Sequence, residues 1–332
     1  GGSGADTAAG GAGDDTFIVD SVDDVVLETA AGGVDTVLSN AVDFTLTGGA
    51  EGFIEVVEAR TAGARLDGNA HDNTLLGGSL SNGLAGRDGN DVLDGGSGRD
   101  VMTGGGGDDT FVVDTATDRV RDGSAQGVDL VLASSDFTLP DGSAFAIVEN
   151  LCLLDDSGAL DGRGNSQDNT IEGNTGDNLL EGLSGADSLR AFRGDDRLDG
   201  GSGADIMRGD QGQDTLQLGI DDIAFGGAGN DSFVISDAAM NSGSQVIRDF
   251  DGIFLNSGAD KDLLVFATGL ETGVFSYIGG NAFSGGGNSE ARFAGGNRVR
   301  IDQDGDGDSD ILIRMNGLSQ SGQITAGDFL WL

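Results

Sequence analysis

Cysteine, proline, histidine, tryptophan and lysine each occur once in this 332-residue chain, and aromatic residues make up 5% of it. The lone Cys152 excludes an intrachain disulfide, and with His71 as the only histidine there is no Cys/His cluster to hold zinc. The single Pro140 and the absence of a three-residue glycine period exclude a collagen-like helix. So few rings argue against a conventional globular core built on aromatics. No apolar run reaches the roughly eighteen residues of a transmembrane helix, so no membrane span is expected. Positive charge is scarce too: Lys+Arg 17 stand against Asp+Glu 57, a net charge of -40, which disfavours nucleic acid and anionic lipid and leaves cations as natural partners. A hydrophobic share of 37% is nevertheless too high for a solvated acidic tail.

What is abundant is glycine, 62 residues, and it is periodic. Units of nine start at Gly68, Gly77, Gly86, Gly95 and Gly104, as in GRDGNDVLD, GGSGRDVMT and GGGGDDTFV. A second array starts at Gly164 and runs through Gly173, Gly182, Ala191, Gly200 and Gly209, slips by one residue and resumes at Gly226. GGSGADTAA and GGAGDDTFI at the beginning form the tail of a third, which predicts that the natural chain continues upstream. The sixth place holds Asn or Asp; the eighth holds an apolar residue such as Leu75, Leu84, Leu93, Met102 or Phe111.

These places have a physical reading. Glycines at places one, two and four permit a tight turn, which leaves places seven to nine for a short strand. Across a pleat only the eighth side chain points inward. Two turns and two strands close a coil of eighteen residues, and stacked coils form a two-sheeted parallel solenoid. Stacking also lines up the place-six carboxylates, whose repulsion a hard divalent cation with oxygen ligands relieves; Ca²⁺ tolerates the irregular geometry better than Mg²⁺. An isolated Gly-Asp pair is an ordinary solvent turn, but tandem arrays in register are not.

GGSGADTAA, GGAGDDTFI, GGSGRDVMT and GGSGADIMR resemble the GGxGxDxUx nonapeptide of RTX proteins, the hemolysin-type calcium-binding repeat. The resemblance implies an all-β fold of calcium-bound parallel β-roll arrays separated by β-rich inserts. Its calcium-ligating aspartate carries over to Asp6, Asp15, Asp91, Asp100, Asp109, Asp187, Asp196, Asp205, Asp214 and Asp231. Asn73, Asn82, Asn169 and Asn178 stand in the first two units of each complete array as neutral, weaker donors. Leu80, Leu183, Phe192 and the slip near Leu218 depart from the pattern, so full ion occupancy is not expected there; Asp221 and Asp222 read either as rescuing a site or, the preferred reading, as a solvated loop.

Between arrays, DDTFIVDSVDDVVLETAAGGVDTVLSNAVDFTL from Asp14 is echoed about ninety-four residues later by DDTFVVDTATDRVRDGSAQGVDLVLASSDFTL from Asp108. Its Val- and Leu-rich runs predict strands that cap or extend the solenoid. The expected organisation is the end of an array at 1–18, an insert at 19–66, an array at 67–112, an insert at 113–162, an array at 163–234 and a C-terminal domain at 235–332. VIRDFD, DQDGDGDSDILIRMNG and the closing GDFLWL resemble the C-terminal domain of serralysin-like proteases, whose extreme C-terminus is a type I export signal. A docked terminal strand is the other reading of that ending. Asp302, Asp304, Asp306 and Asp308 imitate an EF-hand start, but the twelfth loop place is Ile313, so a hairpin between NRVRI and DILIRMN is preferred.

Catalytic signatures are missing: one histidine cannot supply H-E-x-x-H, and neither a G-x-S-x-G elbow nor a P-loop is present. His71 reads as an exposed turn residue and Cys152, in VENLCLL, as a small buried hydrophobe. The sequence therefore predicts a non-enzymatic module that binds several Ca²⁺ ions, folds after type I secretion, engages the secretion machinery through its C-terminus, and works outside a bacterial cell or at its surface. Two alternatives stay open at this point. One is an adhesin, surface-layer or polysaccharide-binding module with a cell-surface ligand; the other is the C-terminal part of a secreted metalloprotease or alginate epimerase.

Overall fold

The computed structural model describes residues 2–235 apart from 29–32, 42, 47–52, 62, 123–125, 142–147 and 156–157. Beyond them it describes seven strands, Gln245–Ile247, Leu263–Phe266, Ser276–Tyr277, Glu290–Phe293, Arg298–Asp302, Ile311–Met315 and Phe329–Trp331. The regular elements are β-strands, mostly three or four residues long. No helix among the described residues is long and apolar enough to cross a membrane. Chain contacts divide the protein into two units, Gly1–Asp156 and Ser157–Leu332.

In the first unit, strands alternate between two parallel sheets. Thr74–Leu76, Val92–Asp94 and Thr110–Val113 stack on one side, with Leu93 level with Leu75 and Phe111. Arg65–Asp67, Gly83–Asp88, Val101–Gly106 and Arg119–Arg121 stack on the other. The step from coil to coil is the expected two nonapeptides. Each short strand buries its middle residue and turns its neighbours outward. Leu66, Leu84, Met102 and Val120 thus face Leu75, Leu93 and Phe111 in a narrow core. Burying each such side chain contributes roughly 1.5–3 kcal/mol, so one apolar residue per nine suffices when its neighbours above and below are equally buried.

The inserts extend this solenoid. Thr16–Val19, Thr36–Ser39, Val56–Ala59 and Thr74–Leu76 form consecutive parallel pairs. Thr110–Val113, Leu130–Ala133 and Asn150–Leu153 repeat the arrangement. Here Thr16 pairs with Thr36 and Thr110 with Leu130, so these coils are two residues longer than a nonapeptide pair and the excess lies between strands. Cys152 departs from expectation: Leu151 and Leu153 take the inward places of the pleat, which leaves the cysteine half-buried on the outer face. His71 is exposed, as expected, with Phe53 edge-on to its ring.

The second unit begins with the same construction. Asp161–Arg163, Leu179–Glu181, Arg197–Asp199, Thr215–Leu218 and Ser232–Ile235 build one parallel sheet; Thr170–Glu172, Ser188–Arg190, Ile206–Gln211 and Ile223–Ala228 build the other. The slip shortens one coil, pairing Ile206 with Ile223 without breaking the ladder. Further on, Arg298–Asp302 pairs antiparallel with Ile311–Met315, the expected hairpin, and Phe329–Trp331 docks parallel to Leu263–Phe266. The turn carrying Asp304, Asp306 and Asp308, and the terminal Asp328 and Leu332, lie outside the described residues.

Candidate metal centre

Stacking converts the place-six residues into two hydrogen-bonded ladders, one along each row of turns. In one row of the first unit the Asn73 N–H donates to Asp91 Oδ1 at 2.7 Å, Asp91 to Asp109 at 2.8 Å, and Asp109 to Asp129 at 2.8 Å. In the other row Asn82 donates to Asp100 at 2.6 Å and Asp100 to Asp118 at 2.9 Å. The second unit repeats both rows: Asn169 to Asp187 to Asp205, and Asn178 to Asp196 to Asp214 to Asp231. Near the beginning, Asp6 donates to Asp24 and Asp15 to Asp35. Every aspartate singled out from the repeat therefore joins a ladder as donor, acceptor or both.

Each bond uses one carboxylate oxygen. The second oxygen, Oδ2, of Asp15, Asp91, Asp100, Asp109, Asp187, Asp196, Asp205 and Asp214 is buried with no hydrogen-bond partner. It occupies space that the place-one glycine leaves open: a Cβ added to Gly95 would lie 2.6 Å from Asp100 Oδ2, and on Gly86 or Gly104 closer still to Asp91 or Asp109. Asp6 differs, since its Oδ2 accepts the Gly2 N–H at 2.7 Å.

Burying carboxylates in rows is electrostatically costly. Burial, with a contribution from the neighbouring ladder carboxylates, pushes Asp91, Asp187, Asp196 and Asp214 up to about 7, against the lowering effect of the backbone N–H that each accepts. Asp100 and Asp109 rise to about 6 for the same leading reason. Asp129 rises to about 8, chiefly through burial, with Asp122, Asp109 and Glu149 nearby adding to it. Arginines pair instead on exposed faces, as in Arg163–Glu181 at 2.8 Å and Arg190–Asp210 at 2.6 Å. Buried, unpartnered carboxylate oxygens beside glycine-lined space, with no thiolate or imidazole among them, are a donor set suited to a hard oxygen-seeking cation such as Ca²⁺.

The asparagines behave otherwise. Asn73, Asn169 and Asn178 turn their amide oxygens to the backbone N–H groups of Asn69, Asn165 and Asn174, at 2.8–2.9 Å. The Asn73 and Asn178 amide groups donate to the Ile54 and Leu160 carbonyls of the coil before. Asn82 donates likewise to Ala64, but its oxygen has no hydrogen-bond partner. The non-glycine residues Leu80, Leu183 and Phe192 keep the left-handed backbone of the glycine turns, with φ of 65°, 78° and 73°, at a cost of about 1 kcal/mol each.

Asp222 corrects the sequence reading. It is fully buried, accepts the Asp205 N–H at 2.9 Å, and takes the ladder place across the shortened coil; only Asp221 is exposed. Its other oxygen accepts the Gly219 N–H at 2.5 Å. Asp24, Asp35, Glu55, Asp118, Asp129 and Glu149 also occupy ladder places that the nonapeptide pattern misses. A signal was present, because GVD at Gly33–Asp35 and Gly127–Asp129 keeps the Gly-x-Asp spacing of places four to six. Place five carries a further, exposed ladder: Asp72 accepts from Asn90 and Asn90 from Asp108, as Asp177 does from Asp195 and Asp195 from Gln213.

The family model of the RTX calcium-binding nonapeptide repeat matches residues 1–26, 76–111, 85–120, 163–191, 182–216 and 219–234. The chain thus contains RTX calcium-binding repeats, folded as a parallel β-roll. No curated protein matches it. Among solved structures, the extracellular lipase LipA from Serratia marcescens is similar at 15% identity and a TM-score of 0.28, over 89% of this chain and 45% of that one. The chain spans less than half the length of that lipase, and a likeness at this level carries no argument about activity.

Proposed function

We propose that this chain, as a bearer of RTX repeats, is a calcium-dependent folding module of a protein exported by type I secretion, and that it is not itself catalytic. The observation that carries the reading is the set of buried carboxylate oxygens without hydrogen-bond partners, one each on Asp15, Asp91, Asp100, Asp109, Asp187, Asp196, Asp205 and Asp214. Asp15, Asp91, Asp100, Asp109, Asp187, Asp196, Asp205, Asp214 and Asp231 would hold the ions with turn carbonyls, and Asp6 would join them. Asn73, Asn82, Asn169 and Asn178 would be weaker ligands. Bound there, calcium supplies positive charge where the fold buries negative charge and crowds it.

Where calcium is scarce, as in a cytosol, the acidic chain repels itself and stays expanded, the form an export channel can thread. Outside the cell the stacked turns acquire affinity for the cation only when folded, so mass action favours the roll. The carboxyl end, at 235–332, serves as export signal and later as a docked cap. In this scheme the arrays at 1–18, 67–112 and 163–234 carry the nonapeptide calcium sites, and the inserts at 19–66 and 113–162 link them. The test is circular dichroism of the purified chain in excess chelator and in millimolar Ca²⁺. The expected result is a disordered spectrum that turns to β on calcium addition; a folded spectrum unchanged by chelator would overturn the reading.

A further inference from the structure

The inserts carry acids that no nonapeptide contains, and in the structure these converge twice in the same way. Asp15, Glu28 and Asp35 each bring a carboxylate oxygen within 4.8 Å of the other two, and so do Asp109, Asp122 and Asp129. The second triad is the first displaced by 94 residues at every member. We propose that each insert coil builds, where it follows an array turn, a three-carboxylate site for a hard divalent cation of the calcium type.

Three observations carry this. First, strand register sets Glu28 beside Gly10 and Asp122 beside Gly104, because Ala9 pairs with Leu27 and Thr103 with Arg121. Elsewhere in the arrays place one is glycine or alanine; here a third carboxylate enters the space that glycine normally leaves to one. Second, the hydrogen bonding repeats: the Asp15 N–H donates to Asp35 Oδ1 at 2.9 Å, and the Asp109 N–H to Asp129 Oδ1 at 2.8 Å. Glu28 also accepts the Gly11 N–H, at 3.1 and 3.3 Å to its two oxygens. Third, Asp35 and Asp109 are 0% and 1% exposed, and the Oδ2 of each is buried with no hydrogen-bond partner inside its triad.

Three carboxylates around one ion leave a residual negative charge where a nonapeptide pair is closer to neutral. Higher ligand charge favours tighter binding, so these sites are expected to fill first and to empty last. The identity of the cation rests on the calcium reading above.

Glu28→Gln and Asp122→Asn test the proposal, since both leave every nonapeptide aspartate in place. Bound calcium is counted by native mass spectrometry of the full chain in saturating calcium, beside a circular dichroism check of folding. Each variant is expected to carry one ion fewer than the parent and the double variant two fewer, with loss of the tightest phase of a calcium titration. Unchanged ion number and titration would overturn the proposal. Should a variant fail to fold, crystals of the parent grown with Tb³⁺ decide: an anomalous peak among Asp109, Asp122 and Asp129 supports the site, and its absence while repeat turns carry peaks refutes it. A parent that binds no calcium defeats the proposed function and this site together, whereas a parent that binds calcium only in the repeats defeats this site alone.

Discussion

Within the first array, the turn at residues 68–73 and the turn at 95–100 span the same six places of the nonapeptide, in opposite rows of turns, and close in opposite ways. In the earlier turn Asn73 accepts the Asn69 N–H at 2.9 Å and donates to the Ile54 carbonyl at 2.8 Å, while Asn69 Oδ1 takes the His71 N–H at 2.9 Å. In the later one, left-handed glycines at Gly96 and Gly98 replace Asn69 and His71 in their places, and Asp100 spends one oxygen on the Asn82 N–H and leaves the other buried without a partner. An amide carries both a donor and an acceptor, so backbone groups can satisfy it. A carboxylate has only acceptors, and the turn's N–H groups do not suffice; the remainder is a demand for a cation.

The largest effect expected of this difference is on pH dependence without metal. Asp91, Asp187, Asp196 and Asp214 sit at about 7 in the fold, against an ordinary value near 3.8. The folded chain therefore holds more protons than the unfolded one between those values, and its metal-free stability falls as pH rises through that window. Each such group accounts for up to roughly 4 kcal/mol. In chelator, lowering the pH from 8 toward 4 should restore β signal by circular dichroism. With calcium present the same acidification should weaken binding, because protons compete for the ladder. The asparagine turns do not titrate, and a metal-free chain equally disordered at pH 4 and pH 8 would contradict the distinction.

A glycine pair sharpens the comparison at intermediate size. Gly95→Ala sets a Cβ against Asp100 Oδ2 and should cost about 1–3 kcal/mol in urea unfolding with calcium present. Gly83→Ala, whose Cβ would meet nothing closer than Arg65 Cγ at 3.8 Å, should stay within about 0.5 kcal/mol. Equal costs would remove the claim that the carboxylate needs the glycine's empty space. The smallest effect concerns the asparagine turn itself. Asn178→Ala removes the bonds with Asn174 N–H and the Leu160 carbonyl and should cost about 1–2 kcal/mol. That cost should vary far less with calcium than the cost of Asp196→Asn, which should shrink as calcium is lowered.

Much of the architecture was legible because the period was strict. Glycine at places one, two and four, an acid at six and an apolar residue at eight led directly to a two-sheeted parallel coil with one inward side chain per strand. Legibility ended where coil length or turn composition changed. Asp129 and Glu149 lie twenty residues from their ladder partners Asp109 and Asp129 and so fall out of the nine-residue frame, whereas Asp118 keeps the eighteen-residue step from Asp100 but sits in a turn without glycine; strand register was needed to place all three. Asp222 was misread for the related reason that its coil is short. Cys152 was misread because an unbroken apolar run does not reveal which alternate residues face in.

By itself the sequence determined the repeat, the inward row and the kind of ligand, since these follow from local turn geometry and from the chemistry of aspartate. Tertiary stacking alone decided which oxygen of each carboxylate is spent on a neighbouring coil and which is left over. It likewise decided that Glu28 and Asp122 meet the aspartates on either side. Those outcomes depend on contacts between residues a full coil apart, where register, and not the nine-residue pattern, sets who lies beside whom.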